Sequence, residues 1–148
     1  MTKKTKNKKP KPEGIIWLDR GWQPVSVGFC PTERDWKHEV KTHPKTFKNY
    51  NDNSYPTSSG AMMHYPAVGV VSEFIVIFIH EKSDGKRPLH EVVGLITHEV
   101  AHAWQWIRES IGEKAPGREL EAYAMQSMVQ ECFMHFMRVR GDKIKWPS

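Results

Sequence analysis

The chain's 148 residues, 39% of them hydrophobic, suffice for one domain with a packed core. Its longest purely apolar run, Phe74 to Ile79, is far too short to cross a bilayer, and two cysteines, Cys30 and Cys132, build no disulfide framework. The formal charge of +5 misleads: residues 1–12 carry six lysines and no acid, and without them 16 basic residues face 17 acidic ones. This lysine run with Pro10 and Pro12 reads as a disordered basic tail, residues 1–13, ahead of a single near-neutral domain, residues 14–148. Lysines without interleaved aromatics offer at most a weak contact with nucleic acid or another polyanion. No apolar h-region follows them, and two reduced cysteines suit an intracellular protein, so the expected location is the cytoplasm.

In chain order, residues 15–29 read as a short β or irregular lead-in with Trp17, Trp22 and Val25 partly buried. Thr32 and Asp35 have the spacing of a capping box and open a helix with Trp36 and Val40 on its apolar face. Residues 41–60, rich in Asn, Ser, Pro and Lys, read as a long loop. Residues 61–71 are β-prone but broken by Pro66 and Gly69. Residues 72–80 form the clearest strand. Phe74, Val76 and Phe78 point one way and Ile75, Ile77 and Ile79 the other, so both faces are expected to be buried. After a charged turn over 81–87, Pro88 and Glu91 suit the first turn of a helix that runs to Ile111 and stops at Gly112. A last helix, about 118–138, carries Met125, Met128, Val129, Phe133 and Met137 as core fillers.

The chemistry is concentrated in these two helices. His98-Glu99-Val100-Ala101-His102 is a complete HExxH motif. Residues four apart share a helix face, with Cβ atoms roughly 5–6 Å apart, so two imidazoles there can reach one Zn²⁺. Glu99 then sits beside the metal, placed to take a proton from a zinc-activated water. Val92, Val93, Leu95, Ile96, Val100, Ala103, Trp104 and Ile107 surround the motif, so the helix is expected to be largely buried. Buried His and Glu need partners, and a metal would supply one. A third ligand is available downstream: Glu121 follows His102 at the spacing HExxH-x18-E. A turn at Ala115-Pro116-Gly117 lets the second helix lay that carboxylate against the histidines. Glu119 is the rival, two residues away and therefore on another side of the helix.

This spacing resembles the gluzincins, zinc peptidases whose third ligand is a glutamate. The stretch Glu119-Leu120-Glu121-Ala122-Tyr123-Ala124 is similar to small metallopeptidases of phages and prophages, and to repressor-cleaving proteases of mobile elements. The resemblance covers residues 72–135. It implies an α+β fold of zincin type, a small twisted sheet packed on an active-site helix and a ligand-bearing C-terminal helix. It also implies His98, His102 and Glu121 as zinc ligands and Glu99 as catalytic base. The metzincin pattern is absent, since Gln105 and Arg108 hold its Gly and third-His positions. Met125 stands where thermolysin-like enzymes carry an aspartate behind a zinc histidine.

A tetrahedral oxyanion needs a donor besides zinc, by the same resemblance a Tyr or a His. Tyr123, Tyr65, His64 and His80 are the candidates. Tyr123 lies on nearly the opposite side of its helix from Glu121 and reads as core. His64 and Tyr65 lie on the weaker strand, whose edge can take substrate by β-augmentation. Trp104 and Trp106 are two apart, one expected toward the core and one on the opposite side, with Trp106 a candidate for the cleft floor. His90 and His135 read as plain surface or core histidines. The expected function is a zinc-dependent peptidase acting on peptide or protein substrates. The alternatives are a regulatory protease for one partner, such as a nucleic-acid-associated protein, and a zinc-stabilised binding module, which would not need Glu99.

Overall fold

The computed structural model describes residues 11–19, 21, 23–80 and 86–141. Among them the chain runs β1 (Ile16–Trp17), β2 (Ser26–Cys30), α1 (Glu33–Thr42), α2 (Pro44–Phe47), β3 (Gly60–Tyr65), β4 (Phe74–Ile79), α3 (Leu89–Ser110) and α4 (Arg118–Arg140). This is a mixed α+β fold around a four-stranded sheet of order β1-β2-β4-β3. β2 and β4 are parallel, while β1 and β3 run antiparallel to their neighbours and form the two edges.

The six apolar residues of β4 hold the centre because each face of the sheet carries its own core. Ile75, Ile77 and Ile79 pack with Val27 and Phe29 of β2, with Val92, Ile96, Val100, Trp104 and Ile107 of α3, and with Met128, Cys132 and Phe136 of α4. Phe74, Val76 and Phe78 enter the opposite cluster with Cys30, Trp36, Phe47 and Tyr65. Full burial of one such side chain contributes about 1.5–3 kcal/mol, so a one-residue slip of β4 would exchange both cores at once. The two-sided burial expected of this strand is what the fold shows.

The helices start and stop on local chemistry. The Thr32 hydroxyl accepts the Asp35 N–H at 3.1 Å and caps α1. The loop expected over 41–60 is shorter than its composition implies. α1 continues to Thr42, and Pro44 opens the one-turn α2, held by Phe47 against Trp36 with ring centroids 5.1 Å apart. α3 follows Pro88 and ends before Gly112, at φ 71°, and α4 runs two residues past the expected end to Gly141, at φ 77°.

Val25 is buried, but Trp17 is half-exposed, its ring over Gly28 and edge-on to Phe74. Trp22, residues 81–85 of the turn expected over 81–87 and residues 1–10 of the expected tail lie outside the described residues. Glu13, at the end of that expected tail, is tied to two helices. Its N–H donates to Asp35 Oδ1 at 2.8 Å, and its carboxylate accepts two guanidinium bonds from Arg138 at 2.5 and 2.9 Å. Cys30 and Cys132 are free thiols in opposite clusters, and burial pushes both thiol pKa values far up. Among the described residues no helix is long and apolar enough to cross a membrane.

Candidate metal centre

α3 packs against β3, β4 and α4, and its buried side is the Val92, Ile96, Val100, Ala103, Trp104 and Ile107 stripe. A helix covered by one sheet and one helix keeps a free side, and the HExxH histidines are on it. His98 and His102 are exposed, as is Val93, which corrects the expectation of a largely buried helix. Glu99 alone of the three is buried, at 6% exposure.

The two imidazoles turn toward each other. Their Nε2 atoms are 3.1 Å apart and the rings nearly perpendicular. Two nitrogens bound at 2.0–2.1 Å to one tetrahedral zinc lie roughly 3.3 Å apart, close to this separation, which is also that of a hydrogen bond between the two rings. His102 Nδ1 lies 3.2 Å from Gln105 Oε1. The amide oxygen accepts Nδ1–H and leaves Nε2 its lone pair, the tautomer a metal ligand needs. Gln105 thus orients a histidine from within α3, a role the sequence left without a residue.

Glu99 is held against the edge strand. The Met62 backbone N–H is directed at its carboxylate, and Gly60 makes the room: a Cβ there would lie 3.0 Å from Glu99 Oε1 and 3.2 Å from its Cγ. Burial raises the Glu99 carboxyl above the usual range, against the opposing pull of His98, His102 and the Met62 N–H. The His80 N–H donates to Ser59 O, so residue 59 faces its partner strand and residues 60, 62 and 64 turn their backbone groups outward. Glu99 therefore sits at the free edge of β3.

Glu121 stands on the first turn of α4, half-buried, where its Oε1 accepts the Trp104 indole N–H at 2.9 Å. The fold brings it to α3, but onto Trp104 and not onto the histidines. Glu119 is exposed. Among the described residues no three His, Cys, Asp or Glu side chains are close enough together to hold a metal ion. The donor chemistry suits zinc, with two convergent imidazoles and a carboxylate on the neighbouring helix; the described rotamer of Glu121 serves Trp104.

The four candidate oxyanion donors lie in different places. β3 alternates, so Tyr65 falls on the sheet face away from α3, stacked on Phe74 with centroids 4.7 Å apart, and burial raises its phenol. His80 follows β4 and, with Tyr55, Thr32 and Glu33, lines a cavity of about 160 Å³ on the α1 side. Tyr123 is 64% exposed, a correction to its expected core position, because α4 buries the Ala124, Met128 and Cys132 stripe instead. His64 alone shares the α3 side. Its Nε2 lies 2.7 Å from Glu73 Oε1, and its ring stacks on Trp106 at 4.0 Å. Trp106 thus faces β3 and not the side opposite the core, while Trp104 is buried as expected.

Sequence reasoning missed Gly60, Glu73 and Gln105. A glycine heading a β-prone segment is a readable sign of close backbone approach, and Gln105 is one turn from His102. Glu73 carried no signal. No protein-family model, no curated protein and no solved structure matches this chain.

Proposed function

We propose that this chain is a zinc-dependent peptidase with a zincin-like arrangement of edge strand, active-site helix and ligand helix. The observation that carries the reading is the His98–His102 pair, Nε2 to Nε2 at 3.1 Å, with the buried Glu99 between them on the α3 sequence and against the free edge of β3. His98, His102 and Glu121 would hold the ion, Glu121 by leaving Trp104. Zinc bound there would supply Lewis acidity toward a peptide carbonyl and make a water more acidic.

The chain's own residues do the rest. Glu99 takes the proton of the attacking water as the new C–O bond forms, and gives it to the amide nitrogen as the C–N bond breaks. Gly60 and the Met62 N–H keep its carboxylate at the strand edge. Gln105 fixes the His102 ring. The Met62 N–H serves Glu99 and the Gly60 carbonyl accepts the Ser58 hydroxyl, so an extended peptide adding as a further strand would pair with the outward Met62 carbonyl and His64 backbone groups of β3.

The test is cleavage of an unbiased peptide library by the zinc-loaded chain, with Glu99→Gln in parallel. Cuts by the wild type that disappear in the variant are expected. Equal cutting by both would remove Glu99 from the mechanism, and no cutting with zinc bound would overturn the peptidase reading.

A further inference from the structure

Three elements meet at one carboxylate oxygen beside α3. Glu73, just ahead of β4, has Oε1 at 2.7 Å from His64 Nε2 on β3 and at 3.2 Å from Trp106 Nε1 on α3. The His64 and Trp106 rings stack with centroids 4.0 Å apart at 33°. A carboxylate accepts and does not donate, so both nitrogens give their hydrogens to Glu73. In the neutral His64 ring the hydrogen is then on Nε2, and Nδ1 keeps a lone pair, with no partner among the described residues. The His64 side chain is 23% exposed, so this polar group is not sealed in the core.

The location gives the cluster a use. Trp106 is one helical turn past His102, about 6 Å further along α3. Gly60, Met62 and His64 share one side of β3, and the first two hold Glu99. His64 therefore stands on the strand that supports the general base, at the end next to Trp106.

We propose that Glu73 and Trp106 are positioning residues that fix the His64 ring so that Nδ1 accepts a main-chain N–H of the bound peptide, which makes His64 a substrate-binding residue; this rests on the peptidase reading above. Glu73 selects the tautomer, the Trp106 indole N–H holds Glu73, and the ring stack fixes the plane. A lone pair flanking an edge strand reads the amide hydrogen that every extended peptide presents. The role is in binding and register, since an acceptor gives nothing to a developing oxyanion.

The test uses the zinc-loaded full chain, its best-cleaved library peptide, and versions of that peptide in which single amides away from the scissile bond become esters, each lacking one N–H. In the wild type one ester position should raise KM up to roughly tenfold, with kcat within about twofold. In His64→Phe, which keeps the stack on Trp106, the same ester should cost less than about twofold. Glu73→Leu, which releases the ring, should remove the same coupling. Zinc content and melting temperature, equal to wild type, confirm that each variant is folded. If both variants cleave and every ester costs them what it costs the wild type, the proposal is overturned and the peptidase reading stands. If the wild type cleaves nothing, both fall.

Discussion

Gly60 and Glu99 approach so closely that one methyl group would intervene: a Cβ on Gly60 would stand 3.0 Å from Glu99 Oε1. Gly60→Ala therefore displaces the carboxylate by a few tenths of an ångström. The expected result is a kcat lowered roughly tenfold, with melting temperature and zinc content close to wild type. Full activity in Gly60→Ala would show that the strand does not set the position of Glu99.

Gln105 fixes the tautomer of His102 through the 3.2 Å contact at Nδ1. Gln105→Leu should weaken zinc binding about 10–100-fold, measured by competition with a chelator at constant pH. His102→Ala should lose zinc and, with it, the rise in melting temperature on zinc addition. Unchanged affinity in Gln105→Leu would mean that His102 is oriented by something else.

The ligand set itself is open to direct comparison of two glutamates. Glu121→Gln should weaken zinc binding by at least about tenfold, whereas Glu119→Gln, on the exposed side, should leave it unchanged. Trp104→Phe, which removes the donor that engages Glu121, should not weaken zinc binding. Full zinc affinity in Glu121→Gln would take that residue out of the site.

Acid stability should depend on Glu13. Its hydrogen bonds to the Arg138 guanidinium hold its carboxyl below the usual range, with burial working the other way. The folded pKa is the lower one, so on acidification the unfolded chain binds this proton first. The pair's stabilisation is therefore complete above the ordinary carboxylate range, about pH 4–5, and fades as pH falls through the folded value. Both side chains are nearly half-exposed, which keeps the contribution at or below about 1 kcal/mol. Glu13→Gln should lower the melting temperature slightly at pH 7 and make it fall less steeply between about pH 5 and 3. An unchanged acid limb would show that the pair does not form in solution.

What could be read from the sequence was whatever a regular backbone period fixes locally. The alternation of Phe74 to Ile79 committed β4 to two cores, and Thr32 with Asp35 marked the start of α1. The four-residue step from His98 to His102 put two imidazoles on one helix face in any fold that keeps the helix. Only the tertiary structure decided which sides of these elements meet. It exposed the two histidines and Tyr123, sent Tyr65 to the far face of the sheet, turned Trp106 to β3, gave the Glu121 carboxylate to Trp104, and brought Gly60 under Glu99 and Glu73 under His64. These pairings follow from how α3 and α4 lie on the sheet to bury the most apolar area. That global optimum is shared by the whole chain, and no short stretch of sequence specifies it.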